Sequence, residues 1–181
     1  MNPIAVAPSI DHESAFLAML VDFEAHDPAN AEFYAAAKGH FPSYVRSLID
    51  EEAGINLREG WVPCTHRWLM APSGDMVGVA RLRHNIDTPF LAGHAGHIGY
   101  DVAPGHRRKG YGHRALRIAL DEASALGLSR LLLFAAEDNL ASRAVIERQG
   151  GKLDSISFSE IYNEPLCRYW IHRNPNSCSH R

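Results

Sequence analysis

The sequence predicts a mixed α/β (α+β) fold, in which helices cover both faces of a mostly antiparallel central sheet of six to seven strands. Segments whose apolar residues have the spacing of a strand alternate along the chain with segments whose apolar residues have the spacing of a helix. The turn signal Pro72-Ser73-Gly74-Asp75 joins two strands as a hairpin, and the apolar run at 131–134 is typical of a strand with neighbours on both sides. The 181 residues, 46% of them hydrophobic, suffice for one domain with a buried core, expected over 1–173.

The first third of the chain indicates one short strand and two helical regions. Asp11 has a side chain typical of a helix N-cap, and Pro28 is expected to end the helix that follows it. Gly54 is a typical C-terminal stop for the second helical region. The expected bounds are a strand within 3–9 and helices at about 12–25 and 31–53, the second interrupted at 39–42.

The remaining two thirds alternate strands and helices more regularly. Residues 85–93 contain a proline and a glycine and predict a loop over a cleft. Either Asp138 or Asn139 is expected to cap the last helix, and the polar residues 174–181 predict a disordered tail. The expected elements are strands at 62–71, 76–84 and 96–102, a helix at 111–126, a strand at 130–135, a helix from about 140 to 149, and strands at 152–159 and 166–172.

Composition excludes several classes of protein. The net charge of −3 gives no reason to expect a nucleic-acid partner, and three scattered cysteines do not form a disulfide framework or a metal motif. No apolar run approaches the roughly 20 residues that span a membrane, and the N-terminus lacks the features of a signal peptide. We therefore expect a cytoplasmic protein without a membrane partner.

Residues 96–112, GHIGYDVAPGHRRKGYG, carry the strongest functional signal. A strand at 98–102 leads through a turn at Pro104-Gly105 into a basic, glycine-rich segment and then directly into a helix. We call residues 105–112 the basic loop. The first N–H groups of a helix have no partner within the helix and lie at the positive end of its dipole, so this arrangement predicts an anion site.

The basic loop also resembles a known signature. Arg107-x-x-Gly110-x-Gly112 matches the (Gln/Arg)-x-x-Gly-x-(Gly/Ala) pattern of the GCN5-related N-acetyltransferase (GNAT) superfamily. The resemblance implies that main-chain N–H groups of the loop hold the pyrophosphate of acetyl-CoA, and that main-chain groups of the preceding strand bind its pantetheine arm. The cofactor-binding residues that it implies are Tyr100, Val102, Arg107, Arg108, Lys109, Gly110, Tyr111, Gly112 and His113.

A second segment fits the same family. Asn139-Leu140-Ala141-Ser142 resembles the family's Asn-x-x-(Ser/Ala) motif, which implies that Asn139 and Ser142 also contact the cofactor. The same residues would serve equally well as a helix cap, and the two interpretations are compatible.

The usual catalytic residues of the family are missing at the matching positions. Ile146 stands where many members have the tyrosine that protonates the leaving thiolate, and Gly96 stands where many have a glutamate base. We therefore expect Ser142 to relay a proton and His97 to act as the base, since histidine titrates near neutral pH. The alternatives are that the thiolate leaves largely unassisted and that His97 and His94 are solvated loop or edge residues. A metal pair of the two histidines is less favoured, and we expect no metal site.

The resemblance implies an acetyl-CoA-dependent N-acetyltransferase in which a primary amine attacks the thioester directly in a ternary complex. The acceptor is expected to be a small-molecule or peptide amine, and a homodimer is compatible with the family. The alternative is a non-catalytic module that binds or senses acyl-CoA on the same fold. A third alternative, a nucleotide-binding protein with a phosphate loop, is disfavoured because no Gly-Lys-(Ser/Thr) ending follows the glycines and no carboxylate is placed for magnesium.

Overall fold

Seven strands and five α-helices follow one another within residues 3–173, the part of the chain that the computed structural model describes. The predicted tail at 174–181 lies outside the described residues. The elements are β1 (Ile4–Val6), α1 (Glu13–His26), α2 (Pro28–Ala31), α3 (Phe41–Ala53), β2 (Cys64–Met70), β3 (Met76–Arg83), β4 (Ile98–Val102), α4 (Tyr111–Ala125), β5 (Arg130–Ala136), α5 (Leu140–Arg148), β6 (Lys152–Ser159) and β7 (Glu164–His172). The order and type of these elements confirm the mixed α/β prediction.

The strands form two adjoining antiparallel sheets. One sheet has the order β1-β2-β3-β4, and the other has the order β5-β7-β6. The predicted hairpin is β2–β3, where Cys64 faces Arg83 across the pair. The two sheets meet where β4 begins, since the main-chain N–H of His97 donates to the carbonyl of Leu132 in β5 at 2.8 Å. The predicted single sheet is therefore divided between β4 and β5.

Helices cover both faces of the strands, as predicted, and each face has its own hydrophobic core. The inner sides of α4 and α5 pack on one face against side chains from β3, β4, β5 and β7, including Leu82, Ile98 and Leu133. Helices α1 and α3 pack on the other face around Trp68, which is fully buried. None of the helices described here is long and apolar enough to cross a membrane.

Two local predictions are wrong in detail, and a third is confirmed. Asp11 is not the N-cap of α1: Ser9 accepts the main-chain N–H of Asp11 at 3.2 Å and begins a short 3-10 helix, Ile10–His12, ahead of α1. The predicted end of α1 before Pro28 is confirmed, since the helix ends at His26. Pro28 is also the first residue of α2, where its missing N–H costs no hydrogen bond. The loop expected at 85–93 passes into a wide helical turn over Leu91–Ala95.

Candidate active site

The backbone of β4 is open on the side that faces β5. On the other side, the carbonyl of His97 accepts from Arg83 N–H at 2.8 Å, and Ala103 N–H donates to Val77 at 3.0 Å. Along an antiparallel strand, the main-chain N–H and C=O groups of one residue bond the neighbouring strand, and those of the next residue point away from it. The N–H and C=O groups of Tyr100 and Val102 therefore point away from β3, and β4 is the edge strand of its sheet. We call the space beside them the β4–β5 gap.

The gap closes at the start of β4, where His97 bonds β5 twice. Besides its main-chain bond to Leu132, the His97 ring accepts the N–H of Leu132 on Nδ1 at 3.0 Å. Arg83 holds the preceding turn, since its guanidinium donates to the carbonyl of Gly96 at 3.2 Å. These bonds fix the separation of the two strands at the closed end.

The position of His97 favours a structural role over the predicted role as a base. The ring is buried, and burial lowers its pKa, with the positive charge of Arg83 adding to the effect and Asp87 opposing it. Since Nδ1 accepts a hydrogen bond from Leu132, the neutral ring carries its proton on Nε2. Its lone pair is therefore used within the fold, and the general base stays unassigned.

We expect this burial to give a measurable pH dependence of stability. The pKa of His97 is lower in the folded chain than the usual value of about 6.5, so the unfolded chain binds the extra proton. The stability that the neutral ring contributes is complete above about pH 6.5 and is lost as the pH falls below it. In chemical denaturation between pH 7.5 and about 5, the free energy of unfolding should therefore fall more steeply for the native protein than for His97→Asn. The amide oxygen of asparagine keeps an acceptor but does not titrate. Equal slopes for the two proteins would contradict this assignment.

The basic loop ends in a helix N-terminus with free N–H groups. Gly110 is the N-cap of α4 and has a φ of +81°, a left-handed conformation that favours glycine. The first hydrogen bond of the helix runs from Arg114 N–H to Gly110 at 3.3 Å. The N–H groups of Tyr111, Gly112 and His113 therefore precede the helical ladder and are available to an anion.

The three basic side chains of the loop do not share one role. The guanidinium of Arg107 pairs with Asp27 and donates to the carbonyl of Val102 at 3.1 Å, so it fixes the loop to the end of α1. Arg108 and Lys109 are exposed, and the amine of Lys109 donates to the carbonyl of Gly105 at 3.1 Å. Their charges remain close to the free N–H groups of the helix.

The sequence reasoning missed the acidic partners of the loop. Asp27 pairs with Arg107, and the carboxylate of Asp22 accepts the N–H of Gly105 at 2.8 Å. Both acidic residues lie about 80 positions earlier in the chain, and no local pattern marks them as partners of this loop.

The two predicted motifs meet at Gly112. A Cβ placed on this glycine would lie 3.5 Å from Val145 Cγ2, 3.7 Å from Tyr100 Cε2 and 3.9 Å from Val102 Cγ2. The Tyr100 hydroxyl lies 2.9 Å from the hydroxyl of Ser142, in the first turn of α5. These residues join β4 to the N-terminus of α4 and to α5. We call them the floor of the gap: Tyr100, Val102, Gly112, Ser142 and Val145.

The helix cap predicted at residue 138 or 139 is Asn139. Its side-chain oxygen accepts a hydrogen bond from the N–H of Ser142 at 3.0 Å, and α5 begins at the next residue, Leu140. Ile146, one turn after Ser142, is buried and offers no polar group. Contact of Asn139 and Ser142 with a cofactor stays a prediction.

The opposite face of β4 carries a paired acidic group. The carboxylate of Asp101 accepts from the hydroxyl of Tyr34 at 2.6 Å and forms an ion pair with Arg81. Arg81 also donates to the Tyr34 hydroxyl at 3.1 Å. This cluster ties β3 and β4 to the 3-10 helix Glu32–Lys38 on the side of the sheet away from the floor.

The less favoured alternative, a metal pair of His94 and His97, is not formed. His94 shares a hydrogen bond of 2.9 Å with the hydroxyl of Ser159, whereas His97 is bonded to β5. Glu51, Cys64 and His66 do lie together, with their ligand atoms within 4.8 Å of one another. His66 is bonded to Glu51 at 2.8 Å, and burial raises the pKa of Cys64 to about 12, which keeps its thiol protonated.

Comparisons with known proteins agree with this fold. The family model described as "Acetyltransferase (GNAT) family" matches residues 23–151. No curated protein is similar enough in sequence to match. Among solved structures, the ribosomal L7/L12 alpha-N-protein acetyltransferase RimL in complex with coenzyme A is similar, with a TM-score of 0.70 and 17% identity over 95% of this chain and 94% of that one.

Two further structures are similar in fold. The microcin C7 self-immunity acetyltransferase MccE, in complex with acetyl-CoA and AMP, has a TM-score of 0.69 and 17% identity over 95% of this chain and 93% of that one. A ribosomal-protein-S5-alanine acetyltransferase from Vibrio fischeri has a TM-score of 0.59 and 18% identity over 77% of this chain and 73% of that one. At these identities the likeness concerns the fold.

Proposed function

The chain belongs to the acetyltransferase (GNAT) family, and from this membership we propose that it transfers the acetyl group of acetyl-CoA to a primary amine. The observation that carries the proposal is the meeting of the basic loop and α5 at Gly112, next to the open backbone of β4. An anion site and an open strand edge on one continuous surface fit a ligand with a pyrophosphate and an amide-containing arm.

The residues at the site fit both the pyrophosphate and the pantetheine arm of acetyl-CoA. The N–H groups of Tyr111, Gly112 and His113 would bind the pyrophosphate, with Arg108 and Lys109 supplying positive charge. The main-chain groups of Tyr100 and the N–H of Val102 would bind the arm as an added strand, since the Val102 carbonyl already accepts from Arg107. Acetyl-CoA supplies an activated acyl group, and an N–H of β4 would polarise its carbonyl.

Direct attack by the amine is favoured over an acetyl-enzyme intermediate. A cysteine nucleophile needs a thiolate, and burial raises the pKa of Cys64 to about 12. Cys167 is also buried, in the core between the sheets and α4. Within residues 3–173 no other cysteine occurs. Both substrates would therefore be bound together, and positioning in the gap supplies much of the rate.

We further propose a cytoplasmic enzyme whose acceptor is a small-molecule or peptide amine. Two of the structural neighbours are named as acetyltransferases of ribosomal proteins, one of them at an alpha-amino group. Peptides with a free N-terminus are therefore the first acceptors to test. A homodimer is compatible with this function and is a separate question for light scattering.

Calorimetric titration of the purified protein with acetyl-CoA, coenzyme A and ATP tests the cosubstrate. We expect micromolar binding of acetyl-CoA and coenzyme A and much weaker binding of ATP. Release of free thiol from acetyl-CoA is then measured with a panel of N-terminal peptides and primary amines. Binding without turnover across a broad panel would favour the non-catalytic acyl-CoA module, and absence of binding would contradict both functions.

A further inference from the structure

The side chain of Tyr100 joins β4 to α5 at the floor of the gap. Its hydroxyl lies 2.9 Å from the Ser142 hydroxyl and 3.3 Å from the Ser142 main-chain carbonyl. Both residues are partly exposed, as contact with a ligand requires. From this geometry we infer that Tyr100 is a catalytic residue, whose hydroxyl donates a hydrogen bond to the departing sulfur while Ser142 orients it. This inference rests on the proposed function.

The position of Tyr100 along the gap supports this role. The pyrophosphate site lies at the N-terminus of α4, beyond Val102, and the gap closes at His97. The acyl end of the arm must lie between these two limits. A strand rises about 3.3 Å per residue, so Val102 and Ile98 are roughly 13 Å apart, and Tyr100 is midway between them.

The rest of the floor offers no competing donor of this kind. Val102 and Val145 are hydrocarbon, and Gly112 has no side chain. Ile146, on α5, is buried and apolar. The two hydroxyls of Tyr100 and Ser142 are therefore the side-chain donors on the floor among the residues that the structure describes.

The hydroxyl pair suits a negatively charged leaving group. When the amine attacks the carbonyl carbon, the C–N bond forms, the C–S bond breaks, and the sulfur leaves with the bonding electron pair. The proton that the amine loses balances the proton that the thiol gains, so Tyr100 ends the cycle with its own proton. Ser142 can donate to the phenol oxygen while the phenol donates to sulfur, which strengthens both hydrogen bonds.

The environment also keeps Tyr100 in its donor form. Burial raises the pKa of Tyr100 to about 12, although the hydrogen bond from Ser142 lowers it in part. The phenol is therefore protonated throughout the pH range in which a thiolate is formed.

The test measures the thiol pKa of bound coenzyme A, because that measurement needs no acceptor. Thiolate absorbance of the coenzyme A complex is titrated against the complex with desulfo-coenzyme A, which removes the signal of the protein's own tyrosines. Tyr100→Phe should raise the thiol pKa of bound coenzyme A by about one unit relative to the native protein, since it removes one hydrogen bond to a charged group. With an amine found in the panel, kcat should fall about tenfold and the KM for acetyl-CoA should stay unchanged.

Two further variants separate this role from a structural one. Ser142→Ala keeps the phenol but removes its partner, so we expect a smaller rise of the thiol pKa; it also provides the test if Tyr100→Phe does not fold. Tyr169→Phe is the matched control, because the Tyr169 hydroxyl donates to Glu147 of α5 at 2.8 Å from the side of β7. This control should leave the thiol pKa unchanged.

The outcomes distinguish the inference from the proposed function. If the native protein binds no coenzyme A, the proposed function and this inference both fail. If it binds coenzyme A and transfers acetyl groups, but Tyr100→Phe and Ser142→Ala match it in thiol pKa and kcat, the inference alone is overturned. An equal rise of the thiol pKa in Tyr169→Phe would also overturn it, since displacement of α5 would then explain the effect.

Discussion

Gly112→Leu is expected to weaken acetyl-CoA binding by about a hundredfold or more, whereas Gly112→Ala should bind nearly as well as the native protein. The surroundings of Gly112 leave room for one methyl group, since a Cβ would lie 3.5 to 3.9 Å from its three neighbours on the floor. The remaining carbons of leucine find no such room beside Val145 and would enter the gap, where they overlap the cosubstrate. A steric overlap of this size costs a few kcal/mol, and every 1.4 kcal/mol changes Kd about tenfold.

The comparison of these two variants separates a blocked gap from a damaged fold. Both substitutions replace glycine in the first turn of α4 by a better helix former, so the thermal stability of both should stay close to that of the native protein. A change in the Kd of acetyl-CoA measured by calorimetry is then due to the blocked gap and not to a loss of folded protein. If Gly112→Leu binds acetyl-CoA as tightly as the native protein does, the cosubstrate does not pass Gly112, and the proposed location of its site is wrong.

Much of the fold was predictable from the sequence, because local patterns determine most of its elements. The strands at 152–159 and 166–172 agree with β6 and β7 to within two residues, since each has a strand pattern bounded by turn residues. The N-cap of α1 was wrong because Ser9 and Asp11 both have capping side chains. In the structure Ser9 caps the 3-10 helix Ile10–His12, where its hydroxyl accepts the N–H of Asp11, and α1 begins after His12 without a side-chain cap.

The division of the sheet was not predictable from local patterns. It depends on the conformation at Gly96 and on the two bonds between His97 and Leu132, residues that are 35 positions apart. The pairing of Arg107 with Asp27 is likewise a long-range contact. Periodicity in the sequence indicates which face of an element is buried, but it does not indicate which distant partner a polar side chain will meet.

The same limit applies to the candidate site. The signature at 107–112 and the strand before it were enough to indicate an anion site next to an open strand. The directions of two rings were not predictable: that of the predicted base, His97, and that of the tyrosine on the floor. His97 is turned to the main chain of β5, and Tyr100 is turned to Ser142. Side-chain direction at the start of an irregular strand depends on the backbone there, and the sequence alone does not specify it.

Gly96→Ala is expected to cause the largest loss of stability, about 3–5 kcal/mol in the free energy of unfolding, or roughly 10 °C in Tm. Gly96 has a φ of +66° and a ψ of −165°, a region essentially restricted to glycine. A Cβ on this residue would also lie 2.4 Å from the carbonyl oxygen of Leu132, and the obstacle is backbone that has little room to move. The substitution therefore adds steric overlap to backbone strain at the closed end of the gap.

Gly93→Ala is the matched control, because it lies in the same helical turn with no atom within 4 Å of its Cβ and no left-handed φ. We expect its Tm to stay within about 2 °C of that of the native protein. Since Gly96 fixes the distance between β4 and β5, any folded Gly96→Ala should also bind acetyl-CoA more weakly than Gly93→Ala. A Gly96→Ala protein with native stability would mean that β5 can move away from this turn. The closed end of the gap would then be adjustable, and the position of the thioester along β4 would not be set by His97.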